Sequence, residues 1–112
     1  MRKIIATLML SALILSSHQS IAAGPEWITY AKVTKVVVTA NGGVNIALSP
    51  ALSGCTSQSG YGERYASLYP DHPGLDKIHS IVLAAFMADK PIAVWLSDST
   101  CRIGEVELGG RQ

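Results

Sequence analysis

One amphipathic segment limits the folds open to this chain. Leu75, Ile78, Ile81, Val82, Ala85 and Phe86 recur at three- and four-residue spacing, while Asp76, Lys77, Ser80 and Asp89 fall elsewhere on the wheel. The pattern predicts a helix that starts near Asp71 or Pro73 and cannot pass Lys90, because Pro91 lacks the amide a further turn would need. Ile78, Ile81, Val82, Ala85 and Phe86 are expected to pack inward, with Lys77 and Ser80 in water. Every other regular segment has strand character.

Trp27 to Thr39 is rich in β-branched residues and contains neither Gly nor Pro, which predicts a long strand. Asn41-Gly42 follows, a pair that tolerates the positive φ of a two-residue hairpin turn. Val44, Ile46 and Leu48 then alternate with Asn45, Ala47 and Ser49, predicting a strand with one apolar and one polar face. Pro50 ends it. Ser53 to Gly62 is too rich in Gly and Ser for continuous regular structure, so it reads as a loop. A short third strand is expected within Glu63 to Leu68. After the helix come a fourth strand from Ile92 to Leu96, a turn at Asp98-Ser99-Thr100 and a last strand from Cys101 to Leu108. The order is three strands, one helix and two strands. It predicts a mainly β domain with one helix, best matched by a five-stranded, OB-like, partly open barrel. An α+β meander with the helix across one face has the same order of elements.

The N-terminus predicts export. Arg2 and Lys3 precede an apolar stretch from Ile4 to Leu15, and Ser20-Ile21-Ala22 places small residues at a cleavage position. This layout reads as a signal peptide over residues 1–22, with cleavage after Ala22 or Ala23 and a single domain over 23–112. The apolar stretch meets Ser16 to Gln19 before reaching the roughly 20 residues that span a bilayer, so no stable membrane anchor is expected. Arg2 and Lys3 leave with the leader. Of 9 basic residues that removes two, against 8 acids, and the mature net charge is −1. That balance gives no electrostatic reason to bind nucleic acid, where Lys and Arg must displace counterions from phosphates. A periplasmic or secreted location follows, and with it an oxidising environment in which the two cysteines, Cys55 and Cys101, are expected to form one disulfide.

Glu26-Trp27 near the start, the run Leu83-Ala84-Ala85-Phe86-Met87-Ala88-Asp89-Lys90-Pro91 and the strand Ile92-Ala93-Val94-Trp95-Leu96 together resemble the B subunits of subtilase-cytotoxin-like and pertussis-like bacterial toxins. Short periplasmic proteins of the same layout are similar too. The resemblance implies an OB-like barrel. It also implies a homo-oligomeric ring of five that binds host glycans through the second strand and neighbouring loops, here Val44 to Gly60. The chain departs from those toxins between its last two strands, where it has only Asp98-Ser99-Thr100 in place of a long aromatic-rich segment.

The residues themselves name no reaction. There is no GxSxG elbow, HExxH helix or Gly-rich phosphate loop. His72 at a turn and His79 on the helix read as solvated side chains rather than metal ligands, since zinc needs three or four convergent donors. Glu63, Asp71 and Asp76 offer carboxylates for a small periplasmic hydrolase only if two of them converge on one bond. Tyr61, Tyr65 and Tyr69, spaced by four and joined by Arg64, are the candidate binding residues, because tyrosines offer contact area with a polar tip. Trp95, off the Ile92, Val94 and Leu96 face, is expected beneath the helix or in a subunit interface. The expected function is an exported, non-enzymatic binding or interaction module without cofactor or metal. Its partner is expected to be a glycan or another exported protein.

Overall fold

The computed structural model describes residues 25–62 and 64–111. The segment 1–22 expected to be a signal peptide lies outside the described residues, as does Glu63. Five strands form one antiparallel sheet: β1 (Glu26–Val38), β2 (Val44–Ser49), β3 (Tyr65–Leu68), β4 (Pro91–Leu96) and β5 (Ile103–Leu108). Their order is β3-β2-β1-β4-β5, and the one α-helix among the described residues, α1 (Leu75–Ala88), lies in the connection between β3 and β4.

The long first strand serves two neighbours. Its N-terminal half pairs with β4, from Glu26 opposite Leu96 to Lys32 opposite Pro91. Its C-terminal half pairs with β2, from Lys32 opposite Ser49 to Val38 opposite Val44. Irregular register between Ile28 and Ala31, and again between Val33 and Lys35, bends the strand between these two partnerships. The edges of the sheet are drawn together by a parallel bridge between Ser67 and Arg102, with the Ser67 amide bonded to the Cys101 carbonyl at 2.7 Å. The sheet is therefore strongly curved but open.

The core follows the alternation read from the sequence. Val44, Ile46, Leu48, Ile92, Val94, Leu96 and Ile103 are all buried, joined by Val82 and Ala85 from α1. Lys77 and Ser80 face solvent as expected. Phe86 does not pack inward: it is 41% exposed, and with Leu83 and Met87 it forms an apolar stripe on the outer side of the helix. The helix meets the sheet chiefly through Val82 and Ala85, so the inward face is narrower than the periodicity suggested.

Other boundaries shift for local reasons. α1 stops at Ala88 because Asp89 adopts a left-handed conformation with φ of 55°, and the Lys90 amide bonds back to the Ala85 carbonyl. β5 begins at Ile103 because Cys101, at φ 57°, breaks the extended run. The β1–β2 turn uses three residues: the Thr39 amide reaches Gly43 O, and only Gly42 takes a positive φ. Asn41 instead turns its side-chain oxygen onto the Gly43 amide at 3.0 Å. Trp95 lies against Trp27 across the β1–β4 pair, with ring centroids 5.6 Å apart and the Arg111 guanidinium stacked 3.9 Å from the Trp27 ring. Residue 104 must be small, because a Cβ there would sit 2.6 Å from Trp95 Cδ1.

Candidate functional site

The expected disulfide is present. Cys55 and Cys101 are bonded with their Cα atoms 5.3 Å apart. Around them the Thr56 amide bonds the Ser99 carbonyl, so the 53–62 loop is tied to the β4–β5 turn and held against the open end of the sheet.

This tethered loop covers the Asn45 end of the β2 face that the alternation assigned to solvent, while Ser49 at its other end stays exposed. Asn45 is 1% exposed, a correction to the polar-face reading, and Ser57 and Ser67 are buried with it. Asn45 stands opposite Ser67 in the β2–β3 register, and the Ser67 hydroxyl donates to Asn45 Oδ1 at 2.6 Å. Ser57 bridges Ser67 to Ser59, whose oxygens are 2.7 Å apart in the second contact. A line of hydroxyls thus runs Ser59, Ser57, Ser67, Asn45 from the loop into the sheet. It ends at Asn45 Nδ2, a buried donor that finds no partner among the described residues.

Asn45 and Ser67 line a narrow recess of about 50 Å³, closed by Thr39, Asn41, Gly43, Gln58, Ser59, Leu68, Tyr69 and Pro70. Beside it lies an open cleft of about 340 Å³ formed by Thr39, Ala40, Asn41, Ser59 and Tyr61. Thr39, Asn41 and Ser59 line both, so a polar recess and a cleft walled by Tyr61 lie side by side in one surface region.

The four candidate binding residues divide along it. Tyr61 is 48% exposed and meets Tyr65 edge-on, ring centroids 5.7 Å apart, so the half-buried Tyr65 fixes the ring that walls the cleft. Arg64 is exposed. Tyr69 does not join them: its hydroxyl donates to the Thr100 carbonyl and accepts from the Gln58 amide, and its ring forms part of the recess wall. Burial pushes the Tyr69 phenol up, but hydrogen bonding, first of all from the Gln58 N–H, outweighs it and holds the group below the usual tyrosine range. Thr39, Asn41, Asn45, Ser57, Ser59 and Ser67 were not singled out by the sequence, since Ser and Asn in a Gly-rich loop or on an alternating strand carry no distinguishing pattern.

The carboxylates are engaged elsewhere. Arg102 pairs with Asp71 at 3.2 Å and with Asp98 at 3.3 Å, and stacks on the Tyr69 ring. Burial pushes Asp98 up, but the Thr100 hydroxyl and amide and the Arg102 charge prevail and hold it below the ordinary carboxylate range. Asp76 sits exposed in the first turn of α1, where a negative charge favours the helix dipole. His72 is not the solvated turn residue expected. It is half-buried, with Nδ1 accepting from the Gly74 amide and Nε2 donating to the Gly104 carbonyl, both at 2.8 Å. It therefore clips the start of α1 to β5. Among the described residues no three His, Cys, Asp or Glu side chains gather as a metal site would require, and no helix is long and apolar enough to cross a membrane.

Compared with known proteins, the chain matches no family, no curated protein and no solved structure.

Proposed function

We propose that this protein is an exported, non-enzymatic binding module of OB-like architecture whose ligand face is the depression between the β1–β2 turn and the 57–61 loop. The barrel reading is supported by the helix between third and fourth strands and by the parallel Ser67–Arg102 bridge, which draws the two sheet edges together. The disulfide supports an oxidising compartment, and with the leader it supports a periplasmic or secreted location. The observation that carries the function is Tyr61, a large exposed ring fixed edge-on by Tyr65 beside a cleft of hydroxyl and amide side chains. Such a wall binds by stacking and hydrogen bonds.

Chemical-shift mapping with a panel of soluble saccharides and short peptides tests this. A ligand should move the amides of Thr39 to Asn41 and Ser59 to Tyr61 saturably, and Tyr61→Ala should abolish the effect while keeping the wild-type unfolding midpoint. Shifts confined to other surfaces would sink the reading.

A second reading, the glycan-binding subunit of a ring-forming toxin, is favoured by the Leu83, Phe86 and Met87 stripe, which would suit self-association. Sedimentation decides it, since a monomer at high micromolar concentration removes the ring. The carboxylate hydrolase is the weakest reading, because Asp71 is held by Arg102.

A further inference from the structure

The recess beneath the cleft has a feature that packing alone does not require. A buried amide N–H without a partner costs about 1 to 3 kcal/mol in desolvation, so native structures rarely leave one. Asn45 Nδ2 is such a group, and Asn45 lines a space of about 50 Å³, which exceeds what one water needs. Thr39, Asn41 and Ser59 also line the neighbouring Tyr61 cleft, which is large enough for the body of a small ligand. The described lining of both parts carries no charged side chain.

The polarity of the hydroxyl line says what is missing. The Ser67 hydroxyl gives its proton to Asn45 Oδ1, leaving the far side of the same amide as a donor with nothing to receive it. We propose that the recess receives one uncharged hydrogen-bond acceptor, an amide or ester carbonyl at the end of the ligand, which takes the Asn45 Nδ2 proton while the rest of the ligand lies against Tyr61. A carboxylate is disfavoured because its charge would be desolvated without a counter-charge in the lining. A hydroxyl is disfavoured because it brings a further donor into a space already supplied with them. The proposal rests on the binding-module reading and names the chemistry of its ligand.

The test uses the purified protein, labelled with nitrogen-15, and three small probes: N-methylacetamide, acetate and glycerol. The readout is the side-chain Nδ2H₂ pair of Asn45, assigned in the wild-type protein by its cross-relaxation to the Asn45 Hβ protons. N-methylacetamide should move that pair saturably in the range of roughly 1 to 100 mM, as befits so small a ligand, and bind at least about fivefold more tightly than acetate or glycerol. Asn45→Asp should lose the N-methylacetamide response at the Gly43 and Ser67 backbone amides. If that variant does not fold, the wild-type Asn45 resonances still decide. Equal or tighter binding of acetate or glycerol overturns the proposal, as does a silent Nδ2H₂ pair with persistent cross-relaxation to water, which would mean that bound water satisfies the donor. Glycerol shifts at Thr39 and Tyr61 with a silent Asn45 would defeat the recess proposal and leave the cleft standing. No movement at either end would defeat both.

Discussion

Reducing the single disulfide should remove a large share of this domain's stability. The bridge joins residues 46 apart and closes a loop holding β3, α1 and β4. In the chain-entropy model a loop of that length contributes about 4 kcal/mol by restricting the unfolded chain. A domain of this size has a total on the order of 5 to 15 kcal/mol, so the oxidised and reduced forms should differ plainly. Urea unfolding, followed by the fluorescence of Trp27 and Trp95 and by circular dichroism, is the assay. With a denaturant slope of about 1 to 1.5 kcal/mol per molar, the midpoint should fall by roughly 3 M in reductant. Reduction is preferable to substitution because Cys55 and Cys101 are both buried, and alanine would add cavity costs of its own. A midpoint shift below about 1 M would show that the 53–62 loop stays docked without the bridge, through bonds such as Thr56 to Ser99, and that the entropic account is wrong here.

Three further substitutions test the packing and the electrostatics. Ile92→Ala, at a fully buried position, should cost about 4 kcal/mol, whereas Phe86→Ala, at a ring already 41% exposed, should cost about 2 because no closed cavity is left; equal urea midpoints would contradict the helix orientation. Asp98→Asn should lower stability at neutral pH by under about 1 kcal/mol, since the pair with Arg102 is substantially exposed. The Asp98 carboxyl is held below its usual range when folded, so its contribution is present above about pH 4 and lost as pH falls through the lower folded value. Thermal midpoints of the two proteins should therefore converge on acidification, and a gap that widens towards pH 2 would refute the assignment.

The parts of the fold legible in the sequence are those where one local rule acts alone. Alternation placed Ile92, Val94 and Leu96 in the core, and Pro50 and Pro91 marked boundaries that the chain respects. The errors arise where a distant segment changes the environment. Asn45 obeys the alternation in direction, yet the loop anchored by Cys55 covers it and turns a solvent position into a buried one. Phe86 obeys the helical period, but sheet contact is used up by Val82 and Ala85 before the stripe reaches it. The same holds at the site. Tyr61 and Tyr65 meet because their spacing and chain direction permit it, while Tyr69, next in the series, is drawn away by Gln58 and Thr100.

The disulfide and the candidate site are linked through this loop. Cys55 fixes the start of a segment whose Ser57 and Ser59 supply the hydroxyl line and whose Tyr61 supplies the wall, while Cys101 fixes the carbonyl that receives the Ser67 amide. Without the bridge, the covering of Asn45 depends on a few hydrogen bonds at the edge of a four-residue strand. Local opening there needs far less free energy than global unfolding. A ligand held by the depression would then have to order the loop at its own expense, weakening its affinity by the cost of that ordering. Reduction under native conditions should therefore speed hydrogen exchange at Ser57 to Tyr61 before it affects the amides of β4. Uniform acceleration across both segments would mean that loop and sheet open as one unit, and that the bridge stabilises the whole domain without separately preorganising the site.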